Sequence, residues 1–126
     1  IMAVFGLAGL RNLAIHNSLR RLQAEIYDRN LNSKFRTIPR SDGCIPSRHL
    51  YQLRTNDRDE LIEYAADNDI QLGVHYLAST EHGIYRRQAQ FVPKAMLAGR
   101  ELVSLPIGPH LLIPDIHKIV DVINGF

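Results

Sequence analysis

Apolar positions recur along the chain first at helical spacing and later by alternation. Over residues 2–30, Leu7, Leu10, Ala14 or Ile15, Leu19, Leu22 and Ile26 follow one another at steps of three and four. That is the stripe of an amphipathic helix, and Arg11, Asn17, Arg20, Arg21, Glu25 and Arg29 fall largely outside it. The first two turns, AVFGLAGL at 3–10, are apolar all round. A helix of that kind is buried on every side. This end is therefore expected either to pack against a surface outside the chain or to be the chain's own central helix. Residues 30–47 hold turn formers, Pro39, Pro46 and Gly43, and read as a connecting loop.

The second half switches between short strand and helix signals. RHLYQLR at 48–54 reads as a strand. Asp57 can cap the helix that follows, with Glu60 three positions on completing a capping-box pattern. That helix ends near Asn68. A strand at 70–76 puts Ile70, Leu72, Val74 and Tyr76 on an apolar face and Gln71, Gly73 and His75 on the other. A helical segment is expected after Pro93, over 93–100, and a short strand at 101–106. Pro114 suits the first turn of a last helix that turns Ile116, Ile119, Val120 and Ile123 inward. This order predicts one α/β domain over 1–126, of two layers: a sheet of about three strands with helices on one side.

Charge narrows the function classes. Lys+Arg 15 against Asp+Glu 13 leaves a net charge of +2, and the pairs Arg20-Arg21 and Arg86-Arg87 have no aromatic-plus-basic stripe beside them. They read as solvated helix surface, which argues against nucleic acid as a partner. The single cysteine, Cys44, cannot form an internal disulfide and suits a reducing compartment. No apolar run reaches membrane-spanning length. The start IMAVFGLAGLRNL lacks a preceding basic segment and continues helically, so a cytoplasmic protein is expected.

The chemistry-bearing residues do not assemble a complete active site. The six histidines show no pair one helical turn apart and no cysteine pair, so no metal site is expected. There is no nucleophile elbow and no phosphate-cradling loop. Lys34, Lys94 and Lys118 are expected at the solvent-exposed surface, none in an apolar pocket that would suit it to Schiff-base chemistry. What stands out is Gly73 with His75 on the second face of the 70–76 strand. Glycine there admits another backbone or a ligand, and histidine can donate, accept or titrate near neutral pH. Either His75 is satisfied by a helix carbonyl, or this face borders a cleft completed by another domain or chain.

Taken together, the segments resemble the C-terminal part of the DegT/StrS family of sugar aminotransferases. IMAVFGLAGLRNL is similar to the family's I-Q-A-A-I-G-L-A-Q-L helix, with Met2 and Gly9 where glutamine is common. HLYQLRTNDRDELIEYAADNDIQLGVHY matches its strand, helix and G-[IV]-H-Y segment in order, and LVSLPIGPHLLIPDIHKIVDVINGF its closing S-L-P strand and last helix, with Ile113 where a capping Ser or Thr is frequent. The likeness covers nearly all of residues 1–126. After His75-Tyr76 many members continue with proline and P-L-H, whereas this chain runs LASTEHGIY.

The resemblance implies the small C-terminal domain of a fold type I pyridoxal-phosphate enzyme. Such enzymes are homodimers that move an amino group from an amino acid, usually glutamate, to a keto group of a nucleotide-linked sugar. It implies that residues 1–30 lead in from a cofactor domain preceding Ile1, that residues 48–126 form the small domain, and that the lysine bonding the cofactor lies outside this chain. The isolated chain would then bind no cofactor and be inert. Gly73, His75, Ser79, Thr80 and Tyr85 would line the substrate side of the cleft, His75 and Tyr85 by hydrogen bonding, with Tyr76 packing on the apolar face. The rival expectation is a non-catalytic interaction domain that keeps this fold and dimerises through the apolar start of its first helix.

Overall fold

The computed structural model describes residues 1–39 and 41–126, those at 88–90 by their backbone alone. Helix α1 (Met2–Asn30) is followed by β1 (Arg36–Thr37), β2 (Tyr51–Arg54), α2 (Arg58–Asp67), α3 (Pro93–Glu101), β3 (Leu102–Leu105) and α4 (Ile113–Gly125). Two 3-10 segments, the three-residue Ser79–Glu81 and the nine-residue Gly83–Phe91, lie between α2 and α3. The strands form one antiparallel sheet in the order β1-β2-β3. Alternation then assigns its faces. Tyr51 and Leu53 pair with Leu105 and Val103 on one face, and Gln52 and Arg54 pair with Ser104 and Leu102 on the other.

The apolar face carries the core. Tyr51, Leu53, Val103 and Leu105 join Tyr27 of α1, Leu61 and Ala65 of α2, and Ile116, Ile119, Val120 and Ile123 of α4 in one buried cluster. The inward set expected for α4 is the set observed. Its N-terminus is closed by the Leu112 amide, which donates to Asp115 Oδ2 at 2.8 Å, so the cap position is Leu112 and not Ile113. Asn124 ties α4 to the end of α1, donating to the Asn30 carbonyl and accepting from the Asn32 amide, both at 2.8 Å.

Four expectations are corrected. The stretch read as a connecting loop contains β1, a two-residue edge strand too short to show a period (position 40 of that stretch lies outside the described residues). The 70–76 segment is not a strand: it meets β3 through one bridge, Gly73 to Ser104, after burying Ile70 and Leu72. Asp57 takes the cap position of α2 but makes no side-chain cap bond; its own amide is bonded to Thr55 Oγ1. The α1 stripe is not the buried face over its length. Only Gln23, Ala24 and Tyr27 are buried, while Leu7, Leu10 and Ile15 are more than half exposed. A helix of 29 residues runs about 43 Å, and only its last turns lie over the sheet. Among the described residues nothing covers its apolar start.

Tyr27 and Tyr51 meet at 4.7 Å between ring centroids, and both are fully buried. Burial pushes the Tyr27 phenol up from its ordinary value. It does the same to Tyr51, helped by the hydrogen bond and charge of Asp28 and opposed by Arg48. A raised folded-state value means the protonated phenols stabilise the fold in full below about pH 10, where the unfolded chain starts to ionise. Stability is then lost as pH climbs further, by about 1 kcal/mol per phenol half a unit beyond the ordinary value. Urea unfolding at pH 9 and above should show this fall, and Tyr27→Phe should flatten it. An alkaline limb of equal slope in the variant would contradict the assignment.

Candidate functional site

The face of the sheet opposite the core borders a cleft of about 390 Å³ whose walls include His49, Gly73, His75, Ser104 and His110. Its floor is the single bridge. The Gly73 amide donates to the Ser104 carbonyl at 3.0 Å, and the Ser104 amide to the Gly73 carbonyl at 2.7 Å. The pair seats His75 across from buried Ser104, with Nδ1 and Ser104 Oγ hydrogen-bonded at 3.0 Å. From the neighbouring strand, Gln52 Nε2 donates to the His75 carbonyl at 2.7 Å. Backbone and ring are therefore held from two strands at once, which leaves Nε2 as the ring nitrogen without a hydrogen bond among the described residues.

A Cβ at Gly73 would lie 2.5 Å from His75 Cε1, so the group that approaches the bare backbone is the chain's own imidazole. Of the two readings left open for His75, the one that named a helix carbonyl does not hold: its partner is a strand serine, and its face borders a cleft. Gly73→Ala should push the ring off Ser104 at a cost of about 1 kcal/mol, because the clash falls on a side chain and can be relieved by rotation. The His75 ring resonances, followed by NMR, should move by more than those of any other histidine; unchanged shifts would refute the seating.

The other nominated residues do not converge here. Thr80 lines a separate pocket with Arg58, Arg86 and Arg100, and its hydroxyl contacts Met96 Sδ at 2.8 Å. Ser79 and Tyr85 are exposed on the 3-10 turns. Tyr76, expected in the apolar face, is 76% exposed and meets the His75 ring edge-on at 5.2 Å. Ser104, His49 and His110 are cleft residues that the pattern did not single out. Ser104 could have been found from its place opposite Gln52 had the register been known. His110 repeats the Gly-x-His spacing of 73–75 within Gly108-Pro109-His110.

Among the described residues no group of His, Cys, Asp and Glu could hold a metal ion, and no helix is long and apolar enough to cross a membrane. Lys34, Lys94 and Lys118 are all exposed, and none lines the cleft. Among the described residues the cleft thus offers imidazole and hydroxyl groups for binding.

A small two-layer α/β domain with a glycine-seated histidine on its open sheet face is the class that fold and site define. The chain belongs to the DegT/DnrJ/EryC1/StrS aminotransferase family, whose model matches residues 1–124. It is 33% identical over 92 residues to the dTDP-3-amino-3,4,6-trideoxy-alpha-D-glucose transaminase of Streptomyces venezuelae, covering 70% of this chain and 24% of that one. To the dTDP-3-amino-3,6-dideoxy-alpha-D-galactopyranose transaminase of Aneurinibacillus thermoaerophilus it is 26% identical, covering 87% and 31%. The chain therefore spans about a quarter to a third of the length of the curated relatives it matches. Among solved structures, DesV of S. venezuelae superposes with a TM-score of 0.86 at 27% identity, over 92% of this chain and 33% of that one. Spr1654 from Streptococcus pneumoniae superposes in its PLP form with a TM-score of 0.90 at 22% identity, over 98% and 34%, a likeness of fold.

Proposed function

We propose that this chain is the C-terminal domain of a pyridoxal-phosphate-dependent, homodimeric, cytoplasmic sugar aminotransferase. In that reading the enzyme moves an amino group from an amino acid such as glutamate to a keto carbon of a nucleotide-linked sugar. The observation that carries it is the family match over residues 1–124, within which the His75–Ser104 pair borders an open cleft. Two matched relatives are named as transaminases of dTDP-linked amino sugars, which supports that substrate class. The division into a lead-in helix at 1–30 and a small domain at 48–126 is part of the same proposal. The uncovered apolar start of α1 supports it, since a cofactor domain would cover that surface.

Pyridoxal phosphate, when bound, supplies the electron sink for amino transfer. This chain's residues bind and orient. Gly73 and His75 form one wall, with the His75 ring fixed by Ser104 so that its other nitrogen meets substrate; Ser79, Thr80 and Tyr85, which lie outside this cleft, take no part in that wall. Proton transfer is assigned to a lysine outside this chain, and the isolated chain is inert. The test is a longer polypeptide that ends in this chain, supplied with pyridoxal phosphate, glutamate and a dTDP-linked keto sugar. Amino-sugar formation is expected, with kcat/KM lower by on the order of tenfold in His75→Ala, the loss of one hydrogen bond to substrate. Amino transfer by residues 1–126 alone, abolished by replacing one of its three lysines, would refute the assignment.

A further inference from the structure

The cleft holds two copies of one local device. Gly73-Val74-His75 and Gly108-Pro109-His110 each fold an imidazole back over a glycine, so that an added Cβ would lie 2.5 Å and 2.7 Å from the respective Cε1. Both rings line the same cavity. Each glycine is independently fixed, Gly73 by the bridge to Ser104 and buried Gly108 by the Gln23 side chain, which accepts from its amide at 3.0 Å and donates to its carbonyl at 2.9 Å. Two imidazoles on separate rigid mounts are thus directed at one space.

The chemistry of the lining favours an anion. Histidines are its only ionisable side chains among the described residues, and no carboxylate is present to repel negative charge. Several carbonyl acceptors at and beside the cleft are already engaged, among them those of Gly73 and Ser104 in their mutual bridge. That of His75 is bonded to Gln52, that of Pro106 to the Tyr27 hydroxyl, and those of Gly108 and Leu111 to Gln23. Recognition of a sugar hydroxyl calls for acceptors as well as donors. Apart from the exposed Gln71 amide, the polar side chains of the lining are three imidazoles and the Ser104 hydroxyl, groups that can donate to oxygens that only accept.

We propose that His75 and His110 clasp the diphosphate of a nucleotide-linked ligand between them. This rests on the sugar-nucleotide reading for the nucleotide, but the diphosphate preference follows from the cleft itself. The chain, with its histidines isotopically labelled, is titrated by NMR with dTDP, inorganic pyrophosphate and thymidine. The His75 and His110 ring signals should move with dTDP and pyrophosphate and stay still with thymidine. His110→Gln, an exposed and well-tolerated change, should raise the dTDP dissociation constant on the order of tenfold, as loss of one charge-assisted hydrogen bond would. Gly108→Ala should do the same by unseating the ring, and His117→Gln, on α4 outside the cleft, should change nothing. Unaltered dTDP affinity in His110→Gln overturns the proposal, as does an equal response to thymidine. Response to pyrophosphate without dTDP overturns the nucleotide half of it. Failure of amino transfer by the longer polypeptide would sink the functional reading while leaving the histidine shifts to stand or fall separately.

Discussion

Gln23→Leu is expected to lower unfolding free energy by about 3 kcal/mol and the midpoint of thermal unfolding by about 10 °C. Gln23 is 1% exposed in a chain where most buried side chains are apolar. Its Nε2 donates to the Gly108 and Leu111 carbonyls, both at 2.9 Å, and its Oε1 accepts from the Gly108 amide at 3.0 Å. Leucine matches its shape and adds apolar burial worth about 1 kcal/mol. Against that, three backbone groups lose their partner away from water, each at about 1–3 kcal/mol, so the polar loss wins even though the terms do not simply add. The consequence reaches the cleft, because the 108–111 loop carries His110. Amide exchange at Gly108 should accelerate more than exchange in β2. A variant as stable as the parent would show that the loop closes without this clamp.

Glu101→Gln is expected to cost about 2 kcal/mol. Its carboxylate side chain is 9% exposed. One oxygen, Oε2, accepts from Arg54 Nε at 2.8 Å, from Arg54 Nη2 and from Arg36 Nη2 at 3.0 Å. Glutamine keeps the shape and one acceptor but removes the charge that two guanidiniums face. Arg36 is 55% exposed, so water screens much of its share and the loss falls mainly on Arg54. Chemical unfolding of Glu101→Gln, Arg54→Gln and the double variant should give a coupling energy of about 1 kcal/mol. Additive losses would mean that the pair is independent and that the buried carboxylate is stabilised by its backbone position alone.

Elements with a complete period were legible in the chain. The α4 pattern named the four residues that face the core, and Pro93 and Pro114 marked helix starts because proline suits a first turn. The 70–76 alternation was read correctly for Ile70 and Leu72 and wrongly as a whole strand. Alternation reports which side chains could be buried, whereas a strand requires a neighbour with free backbone groups, and β3 offers one bridge there. On α1 the apolar stripe was real, but the packed face was decided by Tyr27 meeting Tyr51 and by Gln23 reaching Gly108. A polar residue at 1% exposure could not have been picked by hydrophobicity at all.

The cleft divides in the same way. Gly73 and His75 were legible because a small and a titratable residue break an otherwise apolar alternation. Ser104, His49 and His110 were not, since they come from segments far apart in the chain and meet only when antiparallel register sets Ser104 beside Gly73. Local spacing thus determined the helices and the turn positions, because those depend on contacts a few residues apart, while the order of the matched segments carried the resemblance to the family. Which histidines share a cavity, which serine holds one of them and which end of α1 stays bare were decided by tertiary packing alone. Hydrogen bonds between residues 29 to 85 positions apart leave no periodic trace in the order of the amino acids.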